Sequence, residues 1–373
     1  MRLALAGGGT GGHLVPGLHL LEHLRARDAA PRDVLWFSSG RAIEERVLAG
    51  LDRRLEPATL ERVVLALEPA ESGAPSWLRL ATRTGPETRR ARIALARHGS
   101  EVLLALGGYT VLPAVLAART LGVPVVLLEI NSVPGKATRA LAGLAERVLH
   151  AWPTPAAEAG RRHLCSGPPL APAFLRELPG EGERARARAA LGFRAQEPLL
   201  VVLGGSQGAL GLNRFVAAQA AALGAAGVQV LHQTGPGRGS EAAPPGPGYR
   251  AVEYLDDVAG VLDAATLVLC RGGASTLAEV AARACPALVV PYPHHADRHQ
   301  ERNALALGGG VRVVPEERLD ATLVPVLARL AGPAGERERA AMSRELQRAL
   351  PRDGVARLAD ELLNAASRFR TTS

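Results

Sequence analysis

Two glycine-rich segments in the sequence each follow a short apolar run: residues 7–12, which lead into His13, and residues 204–208, which surround Ser206. Glycines let the backbone approach an anion, and a helix that follows such a loop presents its N-terminus to the negative charge. The first segment has the letters of the dinucleotide fingerprint, but Ser-Ser-Gly at 38–40 stands where a ribose-binding Asp or Glu is expected. We therefore predict two anion-binding loops and disfavour NAD or FAD. The first loop is expected to carry His13 at its tip and to lead into a helix that opens near Pro16. No Gly-Lys-Ser/Thr follows, which excludes a P-loop.

The second loop also matches the G-x-S-x-G nucleophile elbow of hydrolases. Candidate partners follow in the hydrolase order: Asp256 or Asp257, and then His294 or His295. A nucleophilic Ser206 is therefore an alternative, although it leaves the N-terminal glycine loop without a role. The plainer interpretation is that Ser206 caps a helix at a second anion-binding loop.

Two groups of histidines have spacings that resemble metal sites. His19 and His23 with Glu22 match H-x-x-E-H, but leucines form the core stripe of the same helix, so we predict a solvated helix face. The second group consists of His294, His295, Asp297 and His299. A metal is possible there, but we favour polar groups that contact a substrate, and we predict no metal.

Residues 270–279 carry the most specific signal. An apolar strand is predicted to end at Cys270, glycines and small residues then open a helix, and Glu279 lies within its first two turns. A carboxylate at this position can accept hydrogen bonds from both ribose hydroxyls of a nucleotide, while the helix N-terminus faces the phosphates. The alternative is a capped helix with a solvated glutamate. The polar loop at 291–300 favours the nucleotide site.

The elements that position these segments repeat along the chain. Short apolar runs, most of them followed by a glycine-containing loop and a helical pattern, occur at 3–6, 34–37, 102–106 and 123–128, and again at 199–203, 228–231, 267–270 and 287–291. Buried strands that alternate with helices indicate parallel sheets, so we predict an α/β protein with two Rossmann-like halves. The boundary is expected within 165–198. Further helices are predicted at about 336–349 and 355–369.

Length and composition agree with this organisation. A chain of 373 residues predicts two domains, and a net charge of +8 favours a phosphate-bearing partner or an anionic membrane surface. Nucleic acid is disfavoured because basic runs interleaved with aromatic residues are missing. Three irregularly spaced cysteines, Cys165, Cys270 and Cys285, fit a reducing cytosol. We expect no signal peptide, and the uncharged run at 102–118 is interrupted by glycines and a proline, so we expect no membrane span.

The motifs together resemble the MurG family, the bacterial UDP-N-acetylglucosamine (UDP-GlcNAc) transferases that convert lipid I to lipid II. The segments that carry the resemblance follow in the family's order over almost the whole chain: 8–13, 107–109, 129–131, 204–208, 254–257, 270–279 and 297–300. An ordered series of this kind is far more specific than any single glycine loop.

The resemblance implies the GT-B glycosyltransferase fold, with two Rossmann-like parallel-sheet domains and an interdomain cleft. Residues 1–166 with a C-terminal helix at about 352–373 would form the acceptor and membrane domain, and residues 167–351 the UDP-GlcNAc-binding domain. The implied reaction moves GlcNAc to the 4-hydroxyl of N-acetylmuramic acid (MurNAc) on undecaprenyl-linked lipid I, with inversion and without a metal or other cofactor. The implied location is peripheral, on the cytoplasmic face of the membrane, and a cell-wall synthesis complex is among the implied partners.

The resemblance also implies roles for individual residues. The Leu255 backbone would meet the uracil, Glu279 the ribose, and Gln300 with His299 the GlcNAc. The other implied contacts are Ser206, Ala274, Ser275 and Thr276 around the diphosphate, and Thr10, Gly11, Gly12 and Asn131 beside the acceptor. His13 is the candidate general base, because an imidazole can accept the attacking hydroxyl's proton at neutral pH. The alternative is that His13 only binds the acceptor diphosphate or stabilises its loop.

One departure from the family pattern affects the expected donor site. The family usually has an Arg at the end of a G-N-P-x-R segment, whereas residues 167–171 read Gly-Pro-Pro-Leu-Ala and end at Ala171. Either Arg161, Arg162 or Arg271 substitutes, or the donor binds more weakly. Ile130 replaces a common Gln before Asn131.

The alternatives left open are a UDP-GlcNAc 2-epimerase of the same fold, for which we find no convincing carboxylate pair, and a non-catalytic cell-wall complex subunit.

A segment in the first half is expected to dock on the membrane. Apolar and basic residues alternate at Trp77, Leu78, Arg79, Leu80 and Arg83. Tryptophan suits the lipid interface, and arginines near anionic lipid each contribute about 1 kcal/mol. The alternative is an ordinary amphipathic helix packed on the first domain.

Overall fold

The computed structural model describes residues 1–9, 11–67, 76–108, 110–295 and 297–372, and of residues 76–81 and 372 it describes only the backbone. The strands, numbered in chain order, are β1 Arg2–Gly7, β2 Asp33–Ser38, β3 Thr59–Val64, β4 Val102–Gly107, β5 Val125–Glu129, β6 Arg147–His150, β7 His163–Cys165, β8 Leu199–Leu203, β9 Gln229–Gln233, β10 Tyr249–Val252, β11 Leu267–Cys270, β12 Ala287–Val289 and β13 Val311–Val313.

The α-helices, also numbered in chain order, are α1 Gly11–Ala26, α2 Ala42–Val47, α3 Leu51–Leu55, α4 Ser76–His98, α5 Val111–Thr120, α6 Lys136–Leu141, α7 Pro172–Leu175, α8 Glu181–Ala190, α9 Leu210–Ala225, α10 Val258–Ala264, α11 Ala274–Ala282, α12 His299–Leu305, α13 Leu323–Ala331, α14 Glu336–Ala349 and α15 Gly354–Thr372. All eight apolar runs singled out in the sequence contain strands. Within the described residues, no helix is both long enough and apolar enough to cross a bilayer.

The chain divides into two compact units, Met1–Ala171 with Pro351–Ser373, and Pro172–Leu350. The first break lies five residues later than the predicted one after residue 166. The reason is local: His19 donates a hydrogen bond from Nδ1 to the Pro169 carbonyl over 2.9 Å, and Leu170 is buried. His19 is therefore half-buried against its own unit, which corrects the prediction of a solvated helix face at this residue.

Each unit contains one parallel sheet with strands in the Rossmann order. The first sheet runs β3-β2-β1-β4-β5-β6-β7 and the second β10-β9-β8-β11-β12-β13. Both sheets reverse their winding beside their first strand, and ligands bind at the carboxyl ends of the strands that flank such a switch point. In the first unit this position is the loop after β1 with the loop after β4. In the second it is the loop after β8 with the loop after β11.

The central strands are buried on both faces, which explains why they appear in the sequence as uninterrupted apolar runs. On one face of the first sheet, Leu3, Leu5 and Leu104 pack in one cluster with Leu358 and Leu362 of α15. The C-terminal helix therefore completes the core of the first unit.

Two helices begin at residues other than those the sequence indicated. α1 starts at Gly11 rather than near Pro16, so Gly11, Gly12 and His13 lie in its first turn and His13 is not at a loop tip. α9 starts at Leu210 with Ala209 at its N-cap, and no side chain caps it. Ser206 is an exposed residue of the preceding loop, so the prediction that it caps a helix is wrong.

Candidate active site

His13 lies where the switch point of the first sheet brings two sequence motifs together. Its Nδ1 donates to the Gly8 carbonyl over 3.1 Å. Its ring packs on Gly107, whose φ is +112°, and a Cβ built on Gly107 would lie 2.8 Å from His13 Cδ2 and 3.0 Å from Nε2. Glycine is therefore required at 107 both for the backbone conformation and for this contact. Thr10 and Tyr109, which belong to the same two motifs, lie outside the described residues.

Glu44 holds the first glycine loop to the end of β2. Its buried carboxylate accepts hydrogen bonds from the backbone N–H groups of Gly9 at 2.6 Å, Gly40 at 2.7 Å and Ser39 at 3.0 Å, and from the Ser39 hydroxyl. Burial raises the pKa of this carboxyl, but the hydrogen bonds from Ser39, Gly9 and Gly40 outweigh burial, so the pKa lies below its ordinary value. Glu44 is therefore a charged anchor for the loop that leads into His13.

Glu129 does the same for the loop that contains Asn131. Its buried carboxylate accepts from the Asn131 N–H at 2.9 Å, the Asn131 Nδ2 at 3.1 Å, the Gly135 N–H at 2.8 Å and the Thr138 hydroxyl at 2.6 Å. The roles of both glutamates were not predicted from the sequence. The available signal was a Glu at or soon after the carboxyl end of a predicted strand: Glu129 is the last residue of β5, and Glu44 follows β2 in the first turn of α2.

In the second unit, the loop after β8 packs backbone against backbone on the loop after β9. Gly208 has a φ of +72°, and a Cβ built on it would lie 2.0 Å from the Thr234 carbonyl oxygen. Ser206 is exposed here, and within the described residues no hydrogen bond joins it to a histidine. Asp257 instead accepts from the Gly260 N–H over 2.8 Å as the N-cap of α10. The hydrolase triad is therefore not assembled.

The start of α11 offers a set of backbone donors with a carboxylate one turn further on. The first hydrogen bond within the helix runs from Leu277 N–H to the Gly273 carbonyl over 3.0 Å, so the amides of Ala274, Ser275 and Thr276 lie ahead of the helical ladder. Glu279 is half-buried in the second turn, and the described structure records no hydrogen bond or ion pair to its carboxylate. Burial raises the pKa of Glu279 to about 8.

The first residues of α12, and the loop before them, are attached to the start of α11. Gln300 accepts through Oε1 from the Tyr292 N–H at 2.9 Å and the Gly272 N–H at 3.3 Å, and Asn303 donates to the Gly272 carbonyl at 3.1 Å. His299 donates from Nδ1 to Asp297 over 2.8 Å. The two parts of the motif predicted as one nucleotide-sugar site therefore meet in the structure. Asn303 was not singled out in the sequence.

The other predicted donor-site residues have mixed environments. Leu255 is half-buried between β10 and α10, and in the described structure no hydrogen bond to its backbone is recorded. Arg271 donates to Glu316 at 2.6 Å and to the Val290 carbonyl at 3.1 Å, while Arg162 donates to the Ala142 carbonyl at 3.1 Å. These bonds engage two of the three candidate substitutes for the missing family arginine, Arg162 and Arg271, with other protein groups.

Most of the predicted membrane segment lies beyond the described side chains. The backbone of Trp77, Leu78, Arg79 and Leu80 belongs to α4, but their side chains are outside the description. Arg83 is exposed and donates to the Ala66 carbonyl over 3.1 Å. Further along the same helix, Ala91 and Leu95 are buried and Ile93 is 56% exposed.

The chain is similar to known proteins in both sequence and fold. Residues 3–150 match the Glycosyltransferase family 28 N-terminal domain and residues 199–358 match the Glycosyltransferase family 28 C-terminal domain. A protein of Acidothermus cellulolyticus is 40% identical over 402 residues, with 100% of each chain covered. A protein of Sorangium cellulosum is also 40% identical, over 97% of this chain and 88% of its own.

Both relatives carry the name UDP-N-acetylglucosamine--N-acetylmuramyl-(pentapeptide) pyrophosphoryl-undecaprenol N-acetylglucosamine transferase. The crystal structure of Acinetobacter baumannii MurG superposes with a TM-score of 0.70 at 22% identity, over 97% of this chain and 99% of that one, which agrees with two Rossmann-like domains of the GT-B fold. The family domains and the full-length relatives together show that this chain belongs to the MurG family of glycosyltransferases.

Proposed function

We propose that this glycosyltransferase moves GlcNAc from UDP-GlcNAc to the 4-hydroxyl of MurNAc on undecaprenyl-diphospho-MurNAc-pentapeptide, converting lipid I to lipid II in peptidoglycan synthesis. The observation that carries the proposal is the start of α11. Three backbone amides stand ahead of the helical ladder, and the half-buried carboxylate of Glu279 has no recorded partner within the described residues. A nucleoside diphosphate supplies the complementary groups, two phosphates and a ribose diol.

The donor would bind as follows. The ribose hydroxyls donate to Glu279, and the amides of Ala274, Ser275 and Thr276, with Ser206, surround the diphosphate. The Leu255 backbone pairs with the uracil. Its N–H and C=O groups have no hydrogen bond to other described residues, so they can bind the base. Gln300 contacts the sugar through its amide nitrogen, since its oxygen already accepts two backbone bonds, and His299 lies beside it.

On the acceptor side, His13 would act as the general base, with Thr10, Gly11, Gly12 and Asn131 around the acceptor. Because Nδ1 donates to the Gly8 carbonyl, the neutral imidazole carries its lone pair on Nε2. The MurNAc hydroxyl oxygen forms a bond to C1 of GlcNAc from the face opposite the diphosphate, its proton passes to Nε2, and the bond from C1 to the phosphate oxygen breaks. UDP leaves, and the anomeric centre is inverted.

The reaction would need no divalent metal. Charge that develops on the leaving diphosphate can be stabilised by backbone amides fixed in position before the reaction, which is the role the start of α11 would have. Activity should therefore persist in EDTA. Complete loss of activity in EDTA that magnesium restores would refute this part of the proposal.

We further propose that the protein docks through α4 on the cytoplasmic leaflet, where the acceptor's polyprenyl chain is held. Arg89, Arg90 and Arg92 are exposed beside Ile93, while the opposite side of the helix packs into the first unit. The unsubstituted protein should co-sediment with anionic vesicles. The bound fraction should fall in high salt, and it should fall much further for a Trp77→Ser/Leu80→Ser variant. Leu305→Ser, which removes a 62% exposed leucine from the second unit, is the matched control. Equal binding by the folded double variant would assign docking to another surface.

The activity itself is tested with labelled UDP-GlcNAc and lipid I. We expect the label in a lipid-linked disaccharide and equimolar release of UDP. Label recovered as an epimerised nucleotide sugar would favour a 2-epimerase. A folded protein that binds UDP-GlcNAc without any turnover would favour a non-catalytic subunit of a cell-wall complex.

A further inference from the structure

A compact group of metal-ligating side chains lies in the loop after β12 and at the first residue of α12. The ligand atoms of His295, Asp297 and His299 all lie within 4.8 Å of one another, and this is the one group of its kind in the described part of the chain. We propose that these three side chains form a binding site for a single dication of the zinc class, separate from any requirement of the transfer reaction.

The arrangement of the three side chains is already close to that of a chelate. The rings of His295 and His299 stack with centroids 4.5 Å apart and planes inclined by 23°, and His299 Nδ1 is 2.8 Å from Asp297 Oδ1. The ring of Tyr292 packs edge-on against His295, with the ring centroids 4.9 Å apart.

One ring nitrogen of the group has no hydrogen bond within the described residues. This nitrogen is His295 Nδ1, and it is buried from solvent. An unsatisfied buried nitrogen is costly, and a metal ion coordinated through it would remove that cost.

The donor set selects the class of ion. Two imidazoles and one carboxylate suit Zn²⁺ or Co²⁺, whereas Mg²⁺ and Ca²⁺ prefer oxygen ligands. Tetrahedral coordination needs the ligand atoms about 3.3 Å apart, given metal–ligand bonds of about 2.0–2.1 Å. Asp297 is 63% and His299 31% exposed, so both can rotate to close the remaining distance. Three protein ligands leave the fourth position to water.

Binding of the ion would block the use of His299 for the sugar, and this consequence rests on the proposed function. A metal-bound imidazole cannot contact GlcNAc through the same nitrogen, and the ion would fix the side chain of His299 in one orientation. Zinc should therefore compete with UDP-GlcNAc and act as an inhibitor rather than a cofactor.

The test uses the full-length protein without a histidine tag. Co²⁺ is titrated while visible absorption is recorded, and Zn²⁺ affinity is measured by competition with a chromogenic chelator. We expect one ion per chain, displacement of Co²⁺ by Zn²⁺ but not by Mg²⁺, and an affinity loss of about tenfold or more in H295A and in D297N. H294A is the matched control, because His294 packs on the same Tyr292 ring at 5.3 Å but is outside the group.

The outcomes separate this proposal from the proposed function. Absence of stoichiometric Co²⁺ binding, or equal weakening by H294A and H295A, would overturn the metal site. A zinc-dependent rise in the KM for UDP-GlcNAc that H295A abolishes would support it. Transferase activity is measured independently, in EDTA and in magnesium, and its absence under both conditions would count against the proposed function while leaving the Co²⁺ result to decide the metal site.

Discussion

Glu44 in the first unit and Glu279 in the second are both shielded from much of the solvent, but their carboxylates differ in what the protein offers them. Glu44 accepts from three backbone N–H groups and a hydroxyl, and its pKa lies below the ordinary value. Glu279 has no recorded partner in the described structure, and burial raises its pKa to about 8. Hydrogen bonding to the charged form offsets desolvation in one case and not in the other.

The difference separates an anchor from a ligand-binding group. A carboxylate that the protein saturates fixes the local backbone, as Glu44 fixes the loop leading to His13 and Glu129 fixes the loop of Asn131. A carboxylate that the protein leaves without donors is destabilising until a ligand supplies them. Burial alone therefore does not identify a functional glutamate; the number of protein donors around it does.

The largest effect on turnover should come from substitution of His13, which follows the loop that Glu44 anchors. We expect His13→Ala to lower turnover by roughly 10²–10⁴-fold, because proton removal from the acceptor hydroxyl is lost, while UDP-GlcNAc affinity stays the same. Single-turnover kinetics with lipid I measures the first effect and calorimetry the second. His23→Ala, on the same helix, is the control. Near-normal turnover in His13→Ala would exclude it from the mechanism.

Glu44→Gln tests the anchor itself. The substitution turns an amide NH₂ toward backbone donors and removes charge-assisted hydrogen bonds, each of which contributes about 1.5–3 kcal/mol. We expect at least about tenfold lower turnover with lipid I and a lower unfolding temperature, with donor affinity unchanged. Glu45→Gln is the matched control, because the neighbouring Glu45 is 61% exposed and pairs with Arg62 at the surface. Equal effects of the two variants would show that Glu44 is not an anchor.

The affinity for UDP-GlcNAc should rise with pH. Glu279 is largely protonated below about pH 8 in the free protein, and the ribose hydroxyls favour its charged form, so donor binding releases a proton. We expect roughly threefold to tenfold tighter binding at pH 8 than at pH 6. UDP-GlcNAc is a better probe than UDP because its phosphates do not titrate in this range. A flat profile in the parent, or the same slope in Glu279→Gln, would contradict the assignment.

The smallest effect concerns stability without donor. The pKa of Glu279 is raised on folding, so between about pH 4.5 and 8 the folded state holds a proton that the unfolded state has lost, and stability falls as pH rises. Glu279→Gln removes this loss. We expect its unfolding temperature to exceed that of the unsubstituted protein by a few degrees at pH 8 and by less at pH 5. Each 1 kcal/mol of unfolding free energy corresponds to about 2–4 °C in unfolding temperature. A parent that is more stable than Glu279→Gln at pH 8 would count against an unsatisfied carboxylate.

The sequence predicts the features that depend on local patterns and misses those that depend on contacts between distant residues. Strands such as β1 and β11 are recognisable because both their faces are buried, and Glu279 is recognisable because its motif places it in a helix after a glycine turn. β3 was not predicted, since it lies half-exposed at the sheet edge with a glutamate and an arginine among its six residues. Glu44 lies 35 residues from Gly9, and only the pairing of β1 with β2 brings its carboxylate to that loop. The start of α1 was predicted too late because Gly11 and Gly12 have poor helix propensity, which tertiary packing overrides.

The most direct test of this account is the affinity of UDP-GlcNAc for Glu279→Ala, measured by calorimetry at pH 8 beside the parent and Glu44→Gln. The account predicts at least about tenfold weaker binding in Glu279→Ala, because charge-assisted hydrogen bonds to the ribose are lost, and parental affinity in Glu44→Gln. Parental affinity in a folded Glu279→Ala, or an equal loss in Glu44→Gln, would contradict it.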